Sequence, residues 1–148
     1  MIRINRQTDY AIRVILALAR HPEGTRLSTG EIQREMLIPP AFSQRIVAEL
    51  ARGGFITTYP GRDGGLQLAR TADQINLRQI VEWFEGPIYV SDCLVAPGEC
   101  PFDTKCPVQC RWVSVQAVIQ KELEKVTFDQ LAEEAKTTPC ISTEEPDA

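Results

Sequence analysis

A very short connection between two helical patterns, Ile38-Pro39-Pro40, constrains the fold of this chain more than any other feature. The first pattern covers Thr29–Met36, and Ser28 caps it because Glu31, three residues later, completes a capping box. Proline is tolerated in the first turn of a helix, so the second pattern covers about Pro40–Arg52. Two helices joined by so few residues predict a helix-turn-helix, whose second helix is the reading helix.

The residues that follow predict a β-hairpin. Gly53-Gly54 ends the reading helix, and residues 55–59 are rich in the β-branched and aromatic side chains that strands favour. A glycine-rich tip at residues 60–65 carries Arg62 and leads into a second strand at residues 66–69. A helix-turn-helix followed at once by a hairpin is a winged helix.

Helical spacing of apolar residues predicts four more helices. The first covers residues 8–20 with Thr8 as its N-cap, and Asn76 caps another over residues 77–85. A long helix covers residues 107–126, and a short last helix runs from Thr127 to about Ala135. The predicted fold class is therefore mainly α with a small β-hairpin wing, a winged helix-turn-helix plus a long dimerisation helix.

Apolar residues recur along the long helix at intervals of three or four: Val108, Trp112, Val115, Ile119, Leu123 and Val126. Val113 and Val118 widen this apolar face beyond what a small domain needs to bury. We therefore expect this helix to pair with its copy in a second subunit, which makes the protein a homodimer.

A chain of 148 residues can bury one good core, so we expect one compact domain with an appendage. Residues 1–86 form the winged DNA-binding domain. Residues 87–110, which are poor in helical pattern, form a loop that is ordered by whatever its cysteines bind. Residues 107–136 form the dimerisation helix and the short last helix, and residues 137–148 form a disordered tail.

Four of the five cysteines lie in that loop, at Cys93, Cys100, Cys106 and Cys110, and only Cys140 lies in the tail. The chain shows no secretory signal and no apolar run of the roughly 18 residues that a membrane span needs. We expect a cytoplasmic protein without membrane contact, whose reduced thiols serve metal or redox chemistry rather than disulfides.

The gaps between these four cysteines, of six, five and three residues, differ from the paired cysteines of zinc ribbons. Iron–sulfur clusters take thiolates from irregular loops, so a cluster is the favoured interpretation. Zinc binding and unligated thiols remain the alternatives.

The net charge of −4 hides a strong asymmetry. Residues 1–80 hold eleven arginines, no lysine and seven carboxylates, a net charge of +4, whereas residues 81–148 hold five basic and thirteen acidic residues, a net charge of −8. The first half is therefore suited to an anionic partner, although a compositional preference for arginine gives the same excess.

Five residues are candidates for contact with double-stranded DNA: Thr29, Ala41, Gln44, Arg45 and Arg62. Three of them share the exposed N-terminal face of the reading helix, where Gln44 can pair with adenine and Arg45 with guanine. Arg62, which is flanked by glycines, can enter a minor groove. A solvated helix face and an ordinary turn are the alternative interpretations.

An enzymatic function has little basis in the sequence. His21 is the only histidine, which excludes a histidine-based catalytic dyad and a site with several histidine ligands. Nothing resembles a nucleophile elbow, a P-loop or a pair of catalytic acids. We expect the protein not to be an enzyme.

Four stretches together resemble the IscR and NsrR family of bacterial regulators: Thr8-Asp9-Tyr10-Ala11-Ile12, Gly61-Arg62-Asp63-Gly64-Gly65-Leu66-Gln67-Leu68, Phe84-Glu85-Gly86-Pro87, and the series Cys93, Cys100, Cys106, Trp112. The resemblance covers roughly residues 1–135. It implies a homodimer joined by the long helix, a palindromic operator, and an iron–sulfur cluster on Cys93, Cys100 and Cys106 with a fourth ligand that varies among members.

The resemblance also bears on the fourth ligand. IscR-like proteins have a histidine shortly after the third cysteine, whereas this chain has Gln109 there, next to Cys110. NsrR-like proteins take a carboxylate from the first helix of the partner subunit, and Asp9 is at the matching position. The resemblance therefore favours Asp9 of the partner subunit, with Cys110 as its competitor. The chain departs from the family in a longer gap after Cys93, by one residue, and in Leu66, where an aromatic residue is common.

The sequence thus predicts a transcription regulator whose operator binding is controlled by an iron–sulfur cluster that senses nitric oxide, redox state or iron–sulfur status. A [4Fe–4S] cluster is favoured, and a [2Fe–2S] cluster is the alternative. Two other functions remain open: a thiol-disulfide sensor without a cluster, and a zinc-stabilised interaction module that does not contact DNA.

Overall fold

A computed structural model describes residues 3–103 and 105–137. The predicted disordered tail lies outside the described residues except for Thr137, and so does Cys140. The elements are α1 (Arg6–Ala19), α2 (Thr29–Met36), α3 (Pro40–Arg52), β1 (Ile56–Tyr59), β2 (Gly65–Leu68), a 3₁₀ turn (Ala72–Gln74), α4 (Leu77–Glu85), α5 (Asp92–Val95), α6 (Pro107–Lys125) and α7 (Phe128–Thr137). This mainly helical architecture with one β-hairpin confirms the predicted fold class.

The helix-turn-helix forms as predicted. The Ser28 hydroxyl accepts a hydrogen bond from the amide of Glu31 at 3.1 Å, and the Glu31 carboxylate accepts one from the amide of Ser28 at 2.7 Å. Helix α2 ends at Leu37, which adopts a left-handed conformation with φ of 53°. Only residues 37–39 separate the two helices, and α3 begins at Pro40 with Pro39 as its N-cap.

The start of α1 differs from the prediction, because Asn5 and not Thr8 is the N-cap. The Asn5 side chain accepts the amide hydrogen of Thr8 at 2.9 Å, and asparagine caps helices at least as well as threonine. Thr8 lies fully buried inside the first turn, where its hydroxyl donates to the Glu85 carboxylate at 2.9 Å. The Thr8 hydroxyl therefore links α1 to the end of α4 and does not cap α1.

Helix α1 is the centre of the core, and it packs against α2, α3, α4, α7 and β2. The largest fully buried side chains come from these five helices and from Ile75, next to the 3₁₀ turn: Phe128, Ile15, Ile32, Ile46, Leu50, Ile75, Ile80 and Thr8. Phe128 belongs to α7, so the end of the chain completes the core of the winged domain. An antiparallel bridge between Asn76 and Thr127 holds this return in place.

The wing is a two-stranded antiparallel hairpin in which Ile56 pairs with Leu68 and Tyr59 with Gly65. A side chain at Gly64 would overlap the carbonyl of Tyr59, so only glycine fits at this point of the turn. Leu66 also exchanges two backbone hydrogen bonds with Leu27, of 2.7 and 3.0 Å. The wing is thereby attached to the connection between α1 and α2.

The cysteine segment, which we define as residues 87–110, is more ordered than the predicted loop. It contains α5, a single helical turn that carries Cys93, and α6 begins within it at Pro107. A four-residue helix is too short to leave a periodic apolar pattern, which is why the sequence did not indicate it. Helix α6 packs against α4 and α5. None of the helices in the described ranges is both long and apolar enough to span a bilayer.

Candidate DNA interface and cysteine segment

The reading helix α3 presents its predicted contact residues to solvent. Ala41, Gln44 and Arg45 are exposed. Ser43, which lies between them in the sequence, and Ile46, which follows them, are buried. This alternation follows from the 3.6-residue turn of a helix with one face in the core. The three exposed residues therefore form a continuous surface at the N-terminal end of α3.

A cleft of about 550 Å³ separates the start of α2 from the wing, and it brings together two of the predicted contact residues. Thr29 and Arg62 both line it, from opposite sides. Arg62 is exposed, and no other side chain of the described ranges bonds to its guanidinium. It is therefore available to a negatively charged partner.

Sequence reasoning missed Arg26. Its guanidinium carbon lies 3.5 Å from the centre of the Tyr59 ring, a cation–π contact that holds a positive charge beside the wing. The only sequence signal was its position two residues before the Ser28 cap, since its contact with β1 depends on the tertiary structure.

The structure places the four cysteines of the segment at different depths. Cys93, Cys100 and Cys106 are half-buried, Cys110 is exposed, and all four are free thiols. Within residues 3–103 and 105–137, no three cysteine, histidine or acidic side chains lie close enough together to hold a metal ion. The chain thus brings the cysteines into one segment but not into one ligand set.

Asp103 organises this segment, and sequence reasoning missed it. Its carboxylate accepts hydrogen bonds from the amide of Gly98 and, at 3.0 Å, from the side chain of Gln109. Gln109 is the residue at the place of the family's histidine, and here it binds Asp103. The loop around Cys100 is therefore fastened to the first turn of α6.

Two more glutamines of α6 hold the beginning of the segment. The Gln116 side chain accepts the amide hydrogen of Val90 at 3.2 Å, and Gln120 donates to the carbonyl of Ile88 at 3.5 Å. Gln109, Gln116 and Gln120 are spaced by seven and four residues, which places them on one face of the helix. The cysteine segment is thus docked along α6 by polar contacts.

Asp9 is close to the helix-turn-helix. Its carboxylate forms an ion pair of 2.8 Å with Arg13, and about half of its side chain is exposed. Arg13 also donates to the carbonyl of Met36, the last residue of α2, at 3.1 Å. The contacts of Asp9 within its own chain are therefore to α1 and not to the cysteine segment.

The face of α6 next to these glutamines carries the predicted apolar stripe, and no side chain of α6 is buried. Val108, Trp112 and Val115 are between 40 and 50% exposed, while Ile119 and Leu123 are half-buried. Val113, which was expected to widen this stripe, is also exposed but lies on the other side of the helix, because two residues correspond to about 200° of rotation from Val115.

Comparison with known proteins places this arrangement among transcription regulators. The model of the Rrf2 family, described as iron-dependent transcriptional regulators, matches residues 4–134. Protein aau3 of Rhizobium meliloti is 31% identical over 144 residues, which cover 95% of this chain and 90% of that protein.

Solved structures have the same fold. The global cysteine regulator CymR of B. subtilis is 22% identical, with a TM-score of 0.75 over 90% of this chain and 98% of its own. IscR of T. potens is 21% identical, with a TM-score of 0.71 over 93% of each chain.

Proposed function

This chain belongs to the Rrf2 family of transcriptional regulators, and from that premise we propose that it is a homodimer that binds a palindromic operator under the control of its cysteine segment. The observation that carries the proposal is the exposed surface of Ala41, Gln44 and Arg45 at the N-terminal end of α3. A helix of this kind enters the major groove, and its first residues contact the base edges.

The wing supplies the second contact with DNA. Arg62 at its tip is exposed and unpaired among the described side chains, so it is free to enter a minor groove, while Thr29 lines the same cleft. Two such surfaces, related by a twofold axis, read the two halves of a palindrome. The apolar stripe of α6 is the surface through which the two subunits pair.

We propose that Cys93, Cys100 and Cys106 hold an iron–sulfur cluster, with a carboxylate from Asp9 of the partner subunit as fourth ligand. The donor chemistry fits, since three half-buried thiols lie in one segment and none is in a disulfide. Binding requires these thiols to move together, because they are not gathered into one ligand set. The cluster supplies sensitivity to nitric oxide, oxidants or iron supply, and both the [4Fe–4S] and the [2Fe–2S] forms suit this chemistry.

A thiol sensor without a cluster is the second candidate function. The observation that favours it is the pair Cys106 and Cys110, both free thiols, separated by one turn at the start of α6, with Cys110 exposed. Cys106 is the N-cap of α6 and has an extended backbone, and Cys110 follows it within the first turn of the helix. Zinc binding without DNA contact finds no support in the family.

The colour of the protein distinguishes these functions. Protein purified without oxygen and supplied with iron and sulfide is expected to be brown, and Cys93→Ala, Cys100→Ala and Cys106→Ala are each expected to lose the visible absorbance. Cys140→Ala is the matched control and keeps it. A colourless wild type whose DNA binding responds to a thiol oxidant contradicts the cluster and supports the thiol sensor.

A further inference from the structure

The C-terminal end of the reading helix is held by a residue outside the helix-turn-helix. The indole nitrogen of Trp83, in α4, donates a hydrogen bond of 3.0 Å to the carbonyl of Glu49. This carbonyl also accepts the amide hydrogen of Gly53 at 2.9 Å, so the indole is its second donor and ties the last turn of α3 to α4. Trp83 is 40% exposed, so burial alone does not explain why an indole is present.

The surroundings of Trp83 leave the indole little freedom. The ring packs edge-on against Phe55, with a distance of 6.4 Å between ring centres. A Cβ atom at Gly53 would lie 3.0 Å from the indole and 2.7 Å from the Phe55 ring. Arg70 donates to the carbonyls of Gly53 and Gly54 from the other side. The end of α3 is thus enclosed by side chains from α4 and from the residues after the wing.

Helix α4 is also attached to α6 and to α1. Arg78, near its beginning, forms an ion pair of 3.0 Å with Glu124 of α6. Glu85, at its end, accepts hydrogen bonds from the amide of Asn5 at 2.7 Å and from Thr8. Helix α4 packs against both α1 and α6. It therefore connects the proposed dimerisation helix to the end of the reading helix, and Trp83 makes the last contact of that connection.

We propose that Trp83 is a positioning residue that sets the angle between the reading helix and α6, and thereby the half-site spacing that the dimer accepts. This inference rests on the proposed function, because spacing is defined only for a dimer on a palindrome. The distance between the two reading helices of a dimer determines which half-site spacing fits. A helix end that is free to shift tolerates more spacings.

Trp83→Phe tests the inference, since it removes the donor and keeps an aromatic ring. Wild-type protein first selects its operator from a random duplex library, and affinities are then measured for duplexes whose half-sites are one base pair closer or farther apart. Wild type is expected to discriminate against the altered spacings, and Trp83→Phe is expected to reduce that discrimination by about threefold to tenfold, the equivalent of one hydrogen bond. Affinity for a single half-site is expected to stay within about twofold.

Glu133→Ala is the matched control, because it removes one exposed hydrogen bond that Glu133 accepts from Lys136 on α7 and leaves α3, α4 and α6 untouched. If Trp83→Phe does not fold, Gly53→Ala is the second variant, because its Cβ would press on the Phe55 ring at 2.7 Å and on the indole at 3.0 Å, and it is expected to have the same effect. Equal weakening on every duplex, or unchanged discrimination, contradicts the inference alone. A wild type without any spacing preference contradicts the proposed dimeric regulator and the inference together.

Discussion

Single residues on the proposed DNA-facing surface differ in the chemistry they offer. Arg62 projects from a glycine-rich turn and carries a charge, whereas Gln44 and Arg45 project from a rigid helix and carry directed donors. A charge on a turn suits phosphates or a narrow groove, and directed donors suit base edges. The two kinds of residue therefore separate affinity from sequence preference.

Arg62→Ala is expected to weaken operator binding and to lower the slope of log affinity against log salt by about 0.9, the loss of one phosphate contact. Gln44→Ala or Arg45→Ala is expected to cost about 1–3 kcal/mol and to relax the base preference at one position of each half-site. Fluorescence anisotropy over a salt series measures both effects. If all three variants bind as wild type does, α3 and the wing are not the DNA surface.

In the proposed cluster site, Asp9 of the partner subunit and Cys110 are the two candidates for the fourth ligand, and their variants are expected to differ. Asp9→Ala is expected to keep a cluster with an altered spectrum that is lost faster in air, because carboxylate is a harder and more weakly held ligand than thiolate. Cys110→Ala is expected to change neither property. Absorbance and its decay under air measure both. The reverse result would mean that one subunit supplies all four ligands as cysteines.

Residues that act locally were readable from the sequence, and residues that act across the fold were not. The capping pair of Ser28 and Glu31 is three residues apart, so the pattern alone indicated it. The sequence predicted Thr8 as the N-cap of α1, because its actual partner, Glu85, is 77 residues away and no local pattern indicates that hydrogen bond. Asp103 could not be singled out among the acidic residues, because no sequence pattern indicates that its carboxylate accepts hydrogen bonds from Gly98 and Gln109.

At the scale of elements, helices with their own start and stop signals were predicted closely. Helix α4 covers the predicted residues 77–85, because Asn76 and Gln79 form a capping box and Gly86 ends the helix. Helix α6 begins at the predicted Pro107. Helix α5 was missed because one turn has neither a period nor a side-chain cap. Local signals therefore determine boundaries only where a helix is long enough to show them.

The capping box of α2 makes this helix sensitive to acid. The backbone hydrogen bond with Ser28 is the main cause that lowers the pKa of Glu31 below its ordinary value of 4.5. A lowered pKa in the folded state contributes stability above pH 4.5 that is lost as the pH falls through the folded value. Glu31→Gln is therefore expected to show a smaller decrease in melting temperature than wild type between pH 6 and pH 3, measured by circular dichroism, and an equal decrease in both proteins contradicts this role.

At the scale of the whole molecule, residues 3–103 and 105–137 leave the apolar stripe of α6 partly uncovered. Val108, Trp112 and Val115 are substantially exposed although they lie in one row. Exposure of such an apolar row to water is unfavourable. The same row on α6 of a second copy is an apolar surface that can cover it in a symmetric dimer. The proposed pairing through this row would account for the lack of α6 side chains in the described core of the winged domain.

Val115→Asp is expected to yield monomers or insoluble protein, because it forces a charge into the proposed interface. Val113→Asp is the matched control, since Val113 is similarly exposed but lies on the other side of α6. Light scattering of both variants gives the mass in solution. A soluble Val115→Asp dimer would place the interface elsewhere.

The return of the chain to the core at Phe128 has a consequence for fragments of the protein. The ring of Phe128 is fully buried, and the adjacent backbone pairs with Ile75 and Leu77. A cut within the cysteine segment would therefore leave two pieces that each hold part of one core, so that they stay associated as a split protein. A peptide that ends at Gly86 would instead leave a ring-sized cavity beside α1, and adding the missing half as a separate chain would restore its fold by complementation.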